Sequence, residues 1–233
     1  MKFGIIAEGH DDIDIIKQVL KKLTQIDTSD MRDLLPAEAS DETDNEASQF
    51  SNWELVLKEA KDSVLMDQFF DYWKDATPVV VFHIDTAERG EVNYNVTEPA
   101  KSGVIDFATF SEQLRKNVRT KIEEMIPEAY RDKIAYAIAI EETEAWLLPL
   151  LEQNVKADTS KHSKPKERLE WLLSKDTKLR KKFVDTNKKR PDSKALGKLL
   201  CKNLGTCRTK NKSLDLFCID IEIFHKANQN TQP

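Results

Sequence analysis

Long apolar runs are missing from this chain of 233 residues, and cysteine is scarce, with only three. No stretch reaches the roughly 20 apolar residues that a membrane span requires, so no association with a membrane is expected. The apolar run from Phe3 to Ala7 is too short for the core of a signal peptide and meets Glu8 and further acids at once, which predicts a cytoplasmic protein. Cys201, Cys207 and Cys218 are odd in number and lack CxxC spacing. That argues against a disulfide framework and fits a reducing compartment. Their gaps, taken with His225, match no common zinc-ligand pattern, so buried or idle thiols are expected. Internal repeats are absent. So is any evident Ser-His-Asp or Cys-His arrangement for nucleophilic catalysis.

Charge is what the sequence has in plenty. Charged residues make up 33% of the chain and hydrophobic residues 39%, the balance of a soluble protein with a heavily charged surface and enough apolar content for a sizeable core. The net charge of -5 hides an asymmetry: the first 60 residues carry 14 acids against six bases, whereas residues 161–212 carry 18 bases against five acids. One part suits cations and another suits phosphates.

Residues 2–7 read as a short buried strand ending at Glu8, followed by a helix with Ile13, Ile16, Val19, Leu20 and Leu23 at helical spacing. Asp11 or Asp12 can cap or flank its first turn. Residues 27–52 are acidic and aperiodic, which predicts an exposed insertion. An amphipathic helix over 53–73, broken near 61–63, leads to Val79–Ile84, the strongest strand in the chain, which ends at Asp85. Its continuous apolar run suits a central parallel strand covered on both faces, and His83 within it reads as a core histidine. Residues 88–104 look like a loop and 107–126 like a helix stopped by Pro127. Residues 134–140 form another buried strand, ending in Glu141, Glu142 and Glu144, with a helix through Ala145 to Leu148 after it. Beyond 151 the chain turns to lysine-rich helices, with a strand at 214–221. Trp171 is expected in the core beside Leu169, Leu172 and Leu173.

The reading is an α/β domain over 1–150, a mainly parallel sheet flanked by helices, followed by a basic, mostly helical region over 151–233. In such a sheet all strand C-termini open on one edge, where these folds place their ligands. Glu8, Asp85 and Glu142 or Glu144 would then converge, with Asp12 as a further candidate. Carboxylates so crowded repel unless a cation offsets them. Oxygen ligands of this kind suit Mg²⁺ or Mn²⁺.

Glu8-Gly9-His10-Asp11-Asp12 at a strand-to-helix turn resembles the first motif of the TOPRIM fold, and Val79 to Asp85 resembles its second motif, a hydrophobic strand ending in Asp-x-Asp. Glu142-Thr-Glu-Ala-Trp-Leu-Leu148 is similar to a segment of small bacterial TOPRIM-like proteins related to the overcoming-lysogenization-defect nucleases, many tied to phage defence. The likeness covers about the first 150 residues. It departs at Asp85-Thr86-Ala87, where the second aspartate is missing. The resemblance implies ligation by Asp85, a ligand or acid/base role for Glu8, and ligation by Glu142 or Glu144.

The expected activity is metal-assisted hydrolysis of phosphodiester bonds in DNA or RNA. Lys164, Lys166, Arg168, Lys188, Lys189, Arg190 and Lys194 are the expected phosphate contacts. The competing expectation is a catalytically degenerate subunit that binds nucleic acid or a partner ATPase and regulates it.

Overall fold

The computed structural model describes residues 1–37, 51–99, 106–152, 158–187 and 189–230. Four strands, β1 (Lys2–Ile6), β2 (Met31–Leu35), β3 (Pro78–Asp85) and β4 (Ile134–Ala139), form one sheet in the order β2-β1-β3-β4. Every pairing in it is parallel. The central strand β3 is buried from Val79 through Ile84 and alternates between two cores. Val79 and Val81 face one side, while Val80, Phe82 and Ile84 face the other. That two-sided burial is why its sequence is an unbroken apolar run.

Helix α1 (His10–Thr24) covers the first face through Ile13, Ile16, Val19 and Leu20. Helices α2 (Trp53–Asp62), α3 (Val64–Tyr72) and α4 (Phe107–Met125) cover the second. The break expected near 61–63 lies at Ser63, whose φ of 58° ends α2 and starts α3. The chain leaves β1 toward β2 on one side and returns to β3 on the other. The order therefore reverses between β1 and β3, and the crevice of an open parallel sheet forms at such a reversal, outside the strand C-termini. Glu8 and Asp85 stand at those two ends.

The remaining helices are α5 (Pro165–Lys175), α6 (Thr177–Phe183), α7 (Ser193–Lys202), α8 (Leu204–Arg208) and α9 (Lys212–Asn230). A two-stranded antiparallel ribbon of β5 (Val184–Asp185) and β6 (Arg190–Pro191) lies between α6 and α7. Leu169, Leu173, Phe183, Leu196, Leu200, Phe217 and Ile221 join the same core as Phe3, Ile5 and Val81. The basic C-terminal part thus seals the α1 face of the sheet. Gly197 sets how close α7 comes to α1, because a Cβ there would stand 3.0 Å from Gln18 Cγ.

Several expectations are corrected. Within the segment read as an exposed insertion, Met31–Leu35 pairs with β1 as the edge strand β2, while 38–50 lie outside the described residues. The strand expected at 214–221 is part of α9: Leu214, Phe217, Cys218 and Ile221 are buried at i, i+3, i+4 and i+7, one face of a helix. Residues 143–146 and 148–150 form two 3-10 turns rather than one α-helix. Trp171 is 47% exposed, because Leu169 and Leu173 hold the buried face of α5 and a residue between them points away.

The outer edge of β4 is closed by side chains. Arg115 Nη2 donates to the Tyr136 carbonyl at 2.9 Å and to Asp220 Oδ2 at 2.6 Å, and Asp220 Oδ2 accepts from the Tyr136 N–H at 3.4 Å. Among the described residues no helix is long and apolar enough to cross a membrane.

Candidate metal centre

One carboxylate oxygen each from Asp12 and Asp85 and one ring nitrogen of His83 lie within 4.8 Å of one another. The fold places them by simple means. His83 and Asp85 are two apart on β3, so both project to the α1 face. Asp12 sits in the first turn of α1, directly above the strand ends. Neither Asp11 nor Asp12 caps that helix, since its N-cap is Gly9 and makes no side-chain cap. A Cβ on Gly9 would come to 3.2 Å from Asp12 Oδ2, so a glycine leaves that carboxylate its room.

Glu8 joins from the end of β1. Its Oε1 accepts from the Asp85 N–H at 2.6 Å. Burial lifts its carboxyl from 4.5 to about 8, Asp12 and Glu88 lift it further, and the backbone N–H groups of Asp85 and Trp53 pull it back. Asp85 is held well above the ordinary aspartate range by burial first, then by Asp12, Glu8, Glu144 and Glu142. Beneath it Tyr94, stacked on Trp53 at 5.7 Å, donates its hydroxyl to the Asp85 carbonyl at 2.9 Å.

The last acids come from the turn after β4. Trp146 pegs this turn into the core, stacked on Phe217 at 5.7 Å with its indole N–H on Ser213 Oγ at 2.8 Å. Thr159 Oγ1 holds the Ala145 carbonyl at 2.8 Å. Thr143 then donates to Asp85 Oδ1 at 3.2 Å and stands 2.6 Å from His83 Nε2. Glu144 faces Asp12, and its carboxyl is raised to about 7, chiefly by burial and then by Asp12. Glu142 turns the other way and accepts from the Lys166 N–H at 2.9 Å, at the start of α5. Glu141 pairs with Arg89, which also donates to the Thr86 carbonyl at 2.7 Å and so ties the end of β3 to the turn.

The chemistry of this donor set fits a divalent cation. Among the described residues no lysine or arginine lies within ion-pair distance of Glu8, Asp12, Asp85 or Glu144, although burial and mutual repulsion disfavour their charged forms. A doubly charged ion offsets that repulsion. The thiols do not compete for this role, since burial pushes Cys201 up to about 11 and Cys207 and Cys218 up to about 12.

A cavity of about 120 Å³ adjoins the acids. Asp12 and Glu144 stand on one wall, Lys166 and Arg190 on another, and Leu147, Leu169 and Leu196 form apolar lining. Of the cations singled out in the sequence, only these two reach it. Lys164 pairs with Glu167 at 2.6 Å, Arg168 with Glu152 at 2.7 Å, and Lys194 with Asp14 at 3.8 Å. Lys189 lines a neighbouring cavity, together with Arg190. Lys188 lies outside the described residues.

Sequence reasoning missed three contributors: Thr143, Tyr94 and the nearness of His83 to the acids. The signal for His83 was its place two residues before Asp85, on the same face of the strand. Comparison of the chain with protein-family models, with curated proteins and with solved structures gave no match, which leaves the geometry of the site to carry the functional argument.

Proposed function

We propose that the chain is a metal-dependent phosphodiesterase that cuts nucleic acid at the rim of its parallel sheet. The observation that carries this reading is the meeting of Asp12, His83 and Asp85 within 4.8 Å, with no cation paired to the acids. The TOPRIM-like motifs around Glu8, Asp85 and Glu144 support the same reading.

Asp12, Asp85 and His83 would hold the ion, with Glu144 beside them. The bound ion supplies charge stabilisation at the phosphate and lowers the pKa of an attacking water. The rest of the chemistry belongs to the chain. Glu8, with its carboxyl near 8 and one oxygen fixed by the Asp85 N–H, is poised to take and return a proton near neutral pH. Lys166 and Arg190 would fix neighbouring phosphates, and the leucine lining would keep bulk water from the acids.

Cleavage of a panel of labelled DNA and RNA with Mg²⁺ or Mn²⁺ tests the reading. Glu8→Gln and Asp85→Asn should each lower the rate by about 10²–10⁴-fold. Wild-type activity that Asp85→Asn leaves intact would refute it. A regulatory, non-catalytic role is favoured by one observation: Ala87 stands where the resembled motif has its second aspartate, and its N–H is bonded to the Glu141 carbonyl at 3.1 Å. That role predicts nucleic-acid binding with no cleavage under any metal.

A further inference from the structure

We infer that His83 is the nitrogen ligand of this centre, and that the site therefore selects a first-row transition ion such as Mn²⁺ over Mg²⁺. The inference rests on the metal-site reading above and narrows it. Two acids and a histidine could be a structural cluster, but the hydrogen bonds around the ring argue otherwise.

His83 is fully buried, and its two ring nitrogens have different surroundings. Nε2 lies 2.6 Å from Thr143 Oγ1, and Thr143 Oγ1 donates to Asp85 Oδ1 at 3.2 Å. A hydroxyl has one proton, so with that proton on the carboxylate its oxygen accepts from Nε2–H. The ring is thereby fixed as the Nε2–H tautomer, which leaves a bare lone pair on Nδ1. Nδ1 is buried with no hydrogen-bond partner. A fully buried polar atom without a partner is an exception that calls for an explanation, and an absent ion is one such explanation. A core histidine kept only for packing would satisfy both nitrogens or be replaced at no cost by an apolar residue.

The surroundings hold the ring in place rather than let it swing. Trp146 meets it edge-on at 6.2 Å between centroids, and Thr143 links it to Asp85. This is the kind of support that orients a ligating imidazole and that is missing from chance neighbours. The choice of ion follows from the donors. An all-oxygen site suits Mg²⁺, whereas an imidazole favours later ions and penalises Mg²⁺, which holds its waters and accepts nitrogen reluctantly.

The test is pulsed electron paramagnetic resonance of Mn²⁺ added to the full-length protein, with Mn²⁺ and Mg²⁺ affinities measured in parallel by calorimetry. The expected result is a nitrogen coupling to the bound Mn²⁺ that changes when the histidines are labelled with ¹⁵N, and an affinity for Mn²⁺ about tenfold or more above that for Mg²⁺. The labelled wild type needs no variant, so a misfolded mutant cannot blur the outcome. His10→Gln, at the exposed start of α1, should keep the coupling, and His83→Gln should lose it and bring the two affinities together. Bound Mn²⁺ without nitrogen coupling overturns the role of His83 and leaves the metal site standing. Absence of Mn²⁺ binding overturns both.

Discussion

Replacing Glu8 by glutamine should flatten the pH dependence of stability in the metal-free protein. Burial, with Asp12 and Glu88 nearby, lifts the Glu8 carboxyl from 4.5 to about 8. The folded state thus holds this proton more tightly than the unfolded chain does. The stability it contributes is fully present below about pH 4.5 and is lost as pH rises through about 8. At 1.36 kcal/mol per decade, the loss between about pH 5 and about pH 9 is on the order of 4 kcal/mol. Asp85 and Glu144 are raised in the same sense and steepen the slope. Glutamine keeps the shape of Glu8, and its amide oxygen can still accept from the Asp85 N–H, so the variant removes the proton without opening a void. Urea denaturation in the presence of a chelator at several pH values reads the effect directly. Glu8→Gln should match wild type near pH 5 and exceed it by a few kcal/mol near pH 9. A saturating divalent ion should stabilise wild type by about 2.7 kcal/mol at a hundredfold excess over its dissociation constant, and by more as pH rises. Parallel wild-type and variant slopes would refute the reasoning, because they would mean that Glu8 is not the strained acid.

Other consequences are open to direct measurement. Trp146→Ala should cost about 3–5 kcal/mol in denaturant unfolding and weaken metal binding, since the same side chain seats the turn that carries Thr143 and Glu144; unchanged metal affinity in the folded variant would separate the two roles. Arg89→Ala should cost about 1–3 kcal/mol by leaving Glu141 and the Thr86 carbonyl without their shared donor, and Arg89→Lys should recover only part of that in the same assay. Lys166→Ala and Arg190→Ala should each lower the salt slope of nucleic-acid affinity by about one, whereas Lys164→Ala, at a side chain paired with Glu167 away from the cavity, should leave it nearly unchanged.

The strands were legible because the sequence spells them twice, once in composition and once in their ends. Val79–Ile84 and Ile134–Ala139 are apolar on both faces and stop at acids, and parallel order then brings Glu8 beside Asp85. Asp12 was harder to place, since a helix-start acid has an ordinary explanation in capping, and only the approach of α1 to β3 decides between the two. β2 gives almost no signal: it is short, carries Arg32 and Asp33, and buries only Met31 and Leu34. The run from Leu214 to Ile223 alternates like a strand, yet Ile223 is 60% exposed while Phe217 and Cys218 are adjacent and both buried. That pair is the mark of a helix, and period two was the wrong template. Trp171 shows the same error in reverse: its size suggested the core, but its register on α5 between Leu169 and Leu173 turns it to solvent, where Arg168 and Lys175 approach its ring at 4.6 and 5.2 Å.

The ion pair of Arg115 and Asp220 bears on how this molecule meets copies of itself. At Tyr136 both main-chain groups that a newcomer would seek are already spoken for, by a cation on one helix and an anion on another. A second chain trying to extend the sheet there would have to strip two charged side chains from each other before gaining its first bond. Crowding during expression should therefore spare this flank, and a variant with both charges removed should be the one that turns cloudy.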